Sequence, residues 1–201
     1  MSRTDKELIK NICAGNHGDF RVLVERYSAD ALTLAVRILG NRSDAEEAVQ
    51  DAFVRAYKGL AGFRRDAGFS TWFYRIVYNR CLTVRERRRE QPHISLHSME
   101  ASGAPLVPEN VQRPDQWLEH SELQAVVEEG IRAIPSYYRD VFVLFFTQGM
   151  SYEEIAELTE LPLNTVKSRL FRARTLLREH VKAYLERSDI AEQSAGPQEK
   201  R

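Results

Sequence analysis

Apolar residues recur along this chain at helical spacing, and the two-residue alternation of a half-buried strand is hard to find. Residues 4–13 and 17–39 read as two helices. The second places Phe20, Leu23, Val24, Tyr27, Leu34, Ile38 and Leu39 as core positions. Gly40 and Asn41 end it in the manner of a C-terminal cap. Ser43 or Asp44 opens the next helix, in which Ala45, Ala48, Val49, Ala52, Phe53, Ala56, Tyr57 and Leu60 recur without a miss. Gly62 and Gly68 bracket a short loop, Phe63 to Phe69, and a further helix starts at Ser70 or Thr71 and reaches Arg89.

From Gln91 the pattern stops. Pro92, Pro105, Pro108 and Pro114 mix with Ser, Gly and Asn as far as Gln116, a composition that makes a linker. Helical spacing resumes near Trp117, with Leu123, Val126, Val127, Ile131 and Ile134 on one stripe. Pro135 opens a helix from Tyr137 to Thr147 that is apolar almost all round (Val141, Phe142, Val143, Leu144, Phe145, Phe146), which implies burial. Gly149 ends it. The expected fold is all-α: two small helical domains, residues 1–90 and 117–187, joined by a flexible linker at 91–116 and followed by a polar, disordered tail at 188–201.

The stretch SYEEIAELTELPLNTVKSRLFRAR, Ser151 to Arg174, reads as a helix, a tight turn and a second helix. The first helix offers Ile155, Ala156 and Leu158 to a core. The turn falls near Thr159 to Leu161, and Pro162 suits the first turn of the second helix. There Leu163, Val166, Leu170, Ala173 and Leu177 form one buried stripe. The remaining face carries Asn164, Thr165, Lys167, Ser168, Arg169, Arg172 and Arg174. Such side chains hydrogen-bond to base edges and neutralise phosphates, and a helix-turn-helix leads into the major groove with the N-terminal residues of its second helix. The alternative is a helical hairpin with a solvated basic face.

Charge strengthens the first reading. Lys plus Arg and Asp plus Glu both number 29, so the net charge is zero, but the charges are sorted. Residues 63–90 hold eight Arg against three acids, residues 121–161 two basic residues against eight acids, and residues 162–187 seven basic residues against two acids. Two basic blocks separated by acidic sequence suggest two nucleic-acid surfaces, with the rest kept off the DNA. Cys13 and Cys81 lack metal-ligand spacing and read as structural thiols of a reduced compartment. His93 and His97 are four apart without a partner Cys, so no metal or other cofactor is expected. The polar N-terminus is no signal peptide, and no apolar run approaches the roughly 20 residues that span a bilayer. These features point to a cytoplasmic protein with no membrane insertion. No nucleophile–base pair or phosphate-cradling loop suggests an enzyme.

The other basic block, FSTWFYRIVYNRCLTVRERRRE (Phe69 to Glu90), interleaves Trp72, Phe73, Tyr74 and Tyr78 with Arg75, Arg80, Arg85, Arg87, Arg88 and Arg89. Basic residues track a nucleic-acid backbone and rings stack on unpaired bases, at about 1–3 kcal/mol per base. Trp72, four residues from Ile76, suits a core position better than a stacking platform. The loop Arg64-Arg65-Asp66-Ala67-Gly68 is short and polar enough to wrap one extruded base.

DAEEAVQDAFVRAYKGLAGF (Asp44 to Phe63), followed by FSTWFYRIVYNR, resembles region 2 of bacterial sigma factors of the sigma-70 family. IPSYYRDVFVLFFTQGMSYEEIAELTELPLNTVKSRLFRARTLL (Ile134 to Leu177) resembles their region 4. The small size, with only a linker between, is similar to the extracytoplasmic-function group. Phe145-Phe146 departs from the pattern, since similar proteins often carry a more polar residue there. The resemblance implies an alternative sigma factor that binds core RNA polymerase and directs it to promoter DNA through −10 and −35 elements. It implies docking on the β′ clamp helices through the face of Asp44, Glu47, Gln50, Asp51 and Arg55, and a further contact with the β flap. It implies a −10 surface made of Arg64, Arg65, Asp66, Ala67, Gly68, Phe69, Trp72, Tyr74, Arg75, Tyr78, Asn79 and Arg80. The −35 surface would be Asn164, Thr165, Lys167, Ser168, Arg169, Phe171, Arg172 and Arg174. An anti-sigma protein is an implied further partner. A stand-alone DNA-binding regulator remains the alternative, although it would need neither the docking helix nor the aromatic and Arg-rich one.

Overall fold

Thr4 starts the first helix by a reciprocal cap. Its hydroxyl accepts the Glu7 N–H at 3.3 Å, and the Glu7 carboxylate accepts the Thr4 N–H at 2.7 Å. A computed structural model of the chain describes residues 3–63, 68–90 and 114–194; residues 91–113 of the expected linker lie outside them. The order is α1 (Asp5–Cys13), a 3₁₀ turn (His17–Asp19), α2 (Phe20–Leu39), α3 (Arg42–Gly59), a second 3₁₀ turn (Leu60–Gly62) and α4 (Phe69–Glu90). Then come α5 (Pro114–Ala133), α6 (Ser136–Gln148), α7 (Tyr152–Thr159) and α8 (Leu163–Ser194). Among the described residues there is no strand.

Several boundaries move from those read in the sequence. α3 begins at Arg42, ahead of Ser43, because the Asn41 side chain accepts the Asp44 N–H at 3.0 Å and is itself the N-cap. α5 starts at Pro114, where proline's missing N–H costs a first helical turn nothing. α8 continues past Arg187 to Ser194 through Asp, Ala, Glu and Gln, which contain no helix breaker. Tyr57 is 39% exposed on the flank of α3, not in the core, and its hydroxyl lies 2.9 Å from His17 Nδ1.

In the N-terminal half, α2, α3 and α4 pack against one another, and α1 packs on α2 and the two 3₁₀ turns. Leu8, Leu23, Leu34, Ile38, Ala48, Ala52, Phe73 and Val77 fill the space between. The small residues Ala45, Ala48, Ala52 and Ala56 let α3 approach its neighbours closely. In the C-terminal half, α8 is the spine, with α5, α6 and α7 packed on it. α6 lies between α8 and α2 and so joins the halves. That explains its composition: Val141, Phe142, Val143 and Leu144 are consecutive and all buried, which a helix achieves only with neighbours on every side. None of the described helices is long and apolar enough to cross a membrane.

Candidate nucleic-acid interface

The helix-turn-helix is set by two local devices. Ser151 caps α7 in a second capping box: its hydroxyl accepts the Glu154 N–H at 3.1 Å, and the Glu154 carboxylate accepts the Ser151 N–H at 2.8 Å. At the far end Glu160 takes the left-handed conformation, φ 55°, in a position usually given to Gly or Asn. The Leu161 N–H then reaches back to the Ala156 carbonyl at 3.1 Å, and Pro162 supplies the carbonyl that starts α8. Ile155, Leu158, Val166, Leu170 and Ala173 are buried, and they fix which face of α8 turns outward.

That outward face exposes Asn164, Lys167, Ser168, Phe171 and Arg172. Phe171, at 69%, is among the most exposed large apolar side chains described, and it lies amid polar neighbours. Thr165 is half-buried, and its carbonyl accepts the Ser168 hydroxyl at 3.0 Å. Two members of the expected set are drawn aside. Arg169 donates to the Tyr137 carbonyl at 3.4 Å with its guanidinium 5.9 Å from the Tyr137 ring. Arg174 lies over the Phe146 and Phe145 rings at 4.9 and 5.5 Å. Phe145 also stacks on Tyr152 at 5.1 Å, while Phe146 stays half exposed. Farther along, Phe142, Phe146, Leu177, Val181 and Leu185 line a groove of about 520 Å³ between α6 and α8, with Arg174, Arg178 and Lys182 at its rim.

The expected −10 set divides by burial. Arg64, Arg65, Asp66 and Ala67 lie outside the described residues. Gly68 and Asn79 are exposed. Phe69 is in the core, parallel to Phe73 at 5.8 Å and edge-on to Tyr27 at 5.2 Å. Trp72 is half-buried between Phe63 and Gly59, where a Cβ on Gly59 would come within 3.2 Å of its ring. Tyr74 and Tyr78 are both 5% exposed, and burial raises both phenols above their usual range. Cys81 beside them is buried, its thiol pushed up to about 12, and so unreactive; Cys13 is exposed. Four of the six cations of α4 are engaged: Arg75 pairs with Glu157 at 2.8 Å, Arg80 with Asp51 at 2.5 Å, Arg85 with Asp140 at 2.8 Å, and Arg88 with Asp44, while Arg87 and Arg89 are exposed in its last turn.

On α3, Glu47, Gln50 and Arg55 are exposed, but Asp44 and Asp51 hold Arg88 and Arg80. Asp51 also pairs with Arg55 at 3.3 Å. Sequence reading missed Val54, 51% exposed beside Tyr57, which gives this face an apolar centre. It also missed Tyr137 and Thr71; pairing between distant helices leaves no periodic signal.

A helical chain that presents one basic helix-turn-helix, one basic aromatic helix and a mixed apolar and acidic helix is built to hold DNA and a protein. The comparisons with known proteins agree. Sigma-70 region 2 matches residues 23–91 and sigma-70 region 4 matches residues 125–177. The ECF RNA polymerase sigma-E factor of Escherichia coli K12 is 33% identical over 189 residues, 92% of this chain and 97% of that protein. The RNA polymerase sigma-H factor of Pseudomonas aeruginosa is 32% identical over 173 residues, 85% of this chain and 90% of that protein. The structure of CnrH in complex with the cytosolic domain of CnrY gives a TM-score of 0.60 at 26% identity, over 89% of this chain and 97% of that one. The sigma factor RpoE of Bartonella quintana, solved with the anti-sigma factor NepR, shares the fold at TM-score 0.60 and 21% identity, over 82% of this chain and 97% of that one.

The protein is a transcription-initiation factor, a subunit that gives RNA polymerase its promoter specificity without being an enzyme itself. Within that class, the chain belongs to the sigma-70 family, in its extracytoplasmic-function group.

Proposed function

We propose that the two halves divide promoter recognition between them. The N-terminal half, residues 1–90, docks on the β′ clamp helices through the Glu47, Gln50, Val54 and Arg55 face of α3. It holds the melted −10 strand with the loop at 64–68 and the exposed side of α4. The C-terminal half, from Pro114 through α8, reads the −35 element and meets the β flap. The intervening residues act as the tether that lets both elements be reached. The protein works in the cytoplasm, and an anti-sigma protein holds it there when it is not needed; the Bartonella quintana neighbour was solved in complex with an anti-sigma factor.

The observation that carries this reading is the outward face of α8. Asn164, Lys167, Ser168, Phe171 and Arg172 stay exposed on the leading turns of the second helix of a helix-turn-helix. Hydrogen-bonding side chains suit base edges, two cations suit phosphates, and an exposed phenyl ring suits a thymine methyl. The test is reconstitution of core polymerase with this chain on promoter fragments. Transcription that starts only when the chain is added, and that fails when the −35 sequence is scrambled, supports the reading. Transcription indifferent to that scrambling removes α8 from it.

A further inference from the structure

α8 carries cations beyond its outward face. An α-helix turns about 100° per residue, so Arg169 stands about 100° around the axis from Ser168 and about 160° from Phe171. Thr165, Arg169 and Arg172 step by four and three, which makes a second stripe along the flank of the helix. Arg169 therefore looks sideways, toward the start of α6. There its Nη1–H donates to the Tyr137 carbonyl at 3.4 Å, and its guanidinium lies 5.9 Å from the Tyr137 ring. Arg169 is half-buried and Tyr137 is exposed beside it.

The Tyr137 ring is itself braced. It lies 4.1 Å from the ring of Tyr138, which packs against the core. A hydrogen bond to Tyr138 raises the Tyr137 phenol above its usual value, while Arg169 and Arg172 pull it the other way, so both cations act on one hydroxyl. Among the described residues neither Arg169 nor Arg172 pairs with a carboxylate, whereas Arg75 and Arg85 of α4 both do. Two cations and an exposed phenol thus gather at the edge of the helix-turn-helix with no protein anion between them.

We propose that Arg169 grips one backbone phosphate of the −35 duplex and that Tyr137, from outside the helix-turn-helix, is the residue that positions its guanidinium. The inference rests on the reading of α8 as the −35 helix and adds what fixes that helix in register. When a helix lies in the major groove its outward residues meet base edges, and the sugar–phosphate backbones pass along its flanks. A cation on the flank meets a phosphate, and phosphate contacts set register without reading sequence. A guanidinium suits the task because its forked donors match phosphate oxygens. The Tyr137 carbonyl takes one of its five N–H groups and leaves the others for the ligand. Stacking on the ring restricts the long side chain beforehand, so less rotamer freedom is lost when DNA arrives.

The test uses holoenzyme reconstituted with the full chain and a duplex promoter fragment, with binding measured over a range of salt. Arg169→Ala and Tyr137→Ala are each expected to weaken binding roughly 5- to 10-fold and to lower the salt slope by about one. Tyr137→Phe keeps the ring and the carbonyl and should bind like the parent. The double variant Arg169→Ala/Tyr137→Ala should be no weaker than Arg169→Ala alone, because Tyr137 acts through the guanidinium. Neutral methylphosphonates placed singly along the −35 element give a second readout: one position that weakens the parent should leave Arg169→Ala unaffected. A folded Arg169→Ala, checked by circular dichroism, with parental affinity and salt slope overturns the proposal. So does a Tyr137→Ala that lowers the melting temperature without moving the slope, and so do additive losses in the double variant. Failure of the underlying reading shows separately, as a parent holoenzyme whose binding does not respond when the −35 sequence is scrambled.

Discussion

Gly130 of α5 and Leu177 of α8 meet where a methyl group has no room: a Cβ on residue 130 would lie 2.7 Å from Leu177 Cδ1 and 2.9 Å from His180 Cδ2. Gly130 is itself helical and buried, so the reason for a glycine here is the crossing of two helices rather than a turn. The approach holds α5 on the α8 spine and carries Glu128 to the ion pair with Arg37.

Gly130→Ala therefore sets two effects against each other. Alanine gains about 1 kcal/mol of helix propensity. Overpacking costs about 1–3 kcal/mol, moderated because the obstructing atoms are side-chain ends that can shift. A net loss of about 1 kcal/mol is expected, a drop of about 2–4 °C in melting temperature for a chain of this size. Leu177→Ala in the same chain should relieve part of the clash. A double-mutant cycle showing strict additivity would deny the contact.

Glu47→Lys and Asp51→Asn should separate docking from folding. Glu47 is exposed, so its reversal is expected to weaken core-polymerase capture in a pull-down and leave the melting temperature within a degree or two. Asp51 holds Arg80, whose side chain is only 13% exposed, so Asp51→Asn should cost about 1–2 kcal/mol of stability before any effect on docking. Equal melting temperatures for the two variants would count against this division.

On α8, Lys167→Ala and Arg172→Ala remove exposed cations from the outward face proposed to read the −35 element. A phosphate contact should weaken every sequence alike and lower the salt slope by about one. A base contact should cost about 1–3 kcal/mol and relax preference at one position. Filter binding of holoenzyme at several salt concentrations distinguishes them, and parental behaviour by both variants would remove this face from DNA.

Burial holds the Asp140 carboxyl above the usual carboxylate value of 3.8, and the neighbouring Arg85, Arg139 and Tyr78 only partly offset it. Among the described residues, nothing donates to its Oδ1. Tyr78, Cys81 and Arg85 face it from α4, and Arg139 lies on its own helix. A pKa raised by packing means that the packed state binds the proton more tightly. The stabilisation is thus full below the usual value and is lost as pH rises through the raised one. The denaturation midpoint of the parent, taken relative to Asp140→Asn, should fall over the interval that begins at the usual carboxylate value of 3.8 and runs upward in pH. A difference that rises over that interval would mean that pairing with Arg85 outweighs burial.

Much of this was legible in the chain itself. The helices, the helix-turn-helix with its turn at Thr159 to Leu161, and the burial of α6 from Val141 to Leu144 all follow from periodicity and caps, which are local, whereas Phe146, expected to be buried with them, is half exposed. What was not legible depends on pairing across long sequence distance. Nothing around Asp51 announces Arg80, and nothing around Gly130 announces Leu177. The charge blocks were visible as blocks, but their sorting has two physical uses: to repel or admit DNA, and to attract each other. Only the placement of α4 beside α6 and α7 brings out the second. Trp72, Phe69 and Tyr74 show why aromatic residues in a basic helix are ambiguous: the same rings that suit bases suit a core, and here burial takes Phe69 and Tyr74.

α8 runs unbroken from Leu163 to Ser194, with the Lys167–Arg172 face near one end and the Leu177, Val181 and Leu185 row of the groove toward the other. An α-helix advances about 100° per residue, so the angular phase between these two surfaces is a fixed property of the rod, with no joint to absorb a mismatch. A single residue inserted between Arg172 and Leu177 would leave every side chain present yet swing one surface about 100° around the axis relative to the other. Torsional alignment is thus a heritable trait of this helix, one that deletions and insertions can break where substitutions cannot.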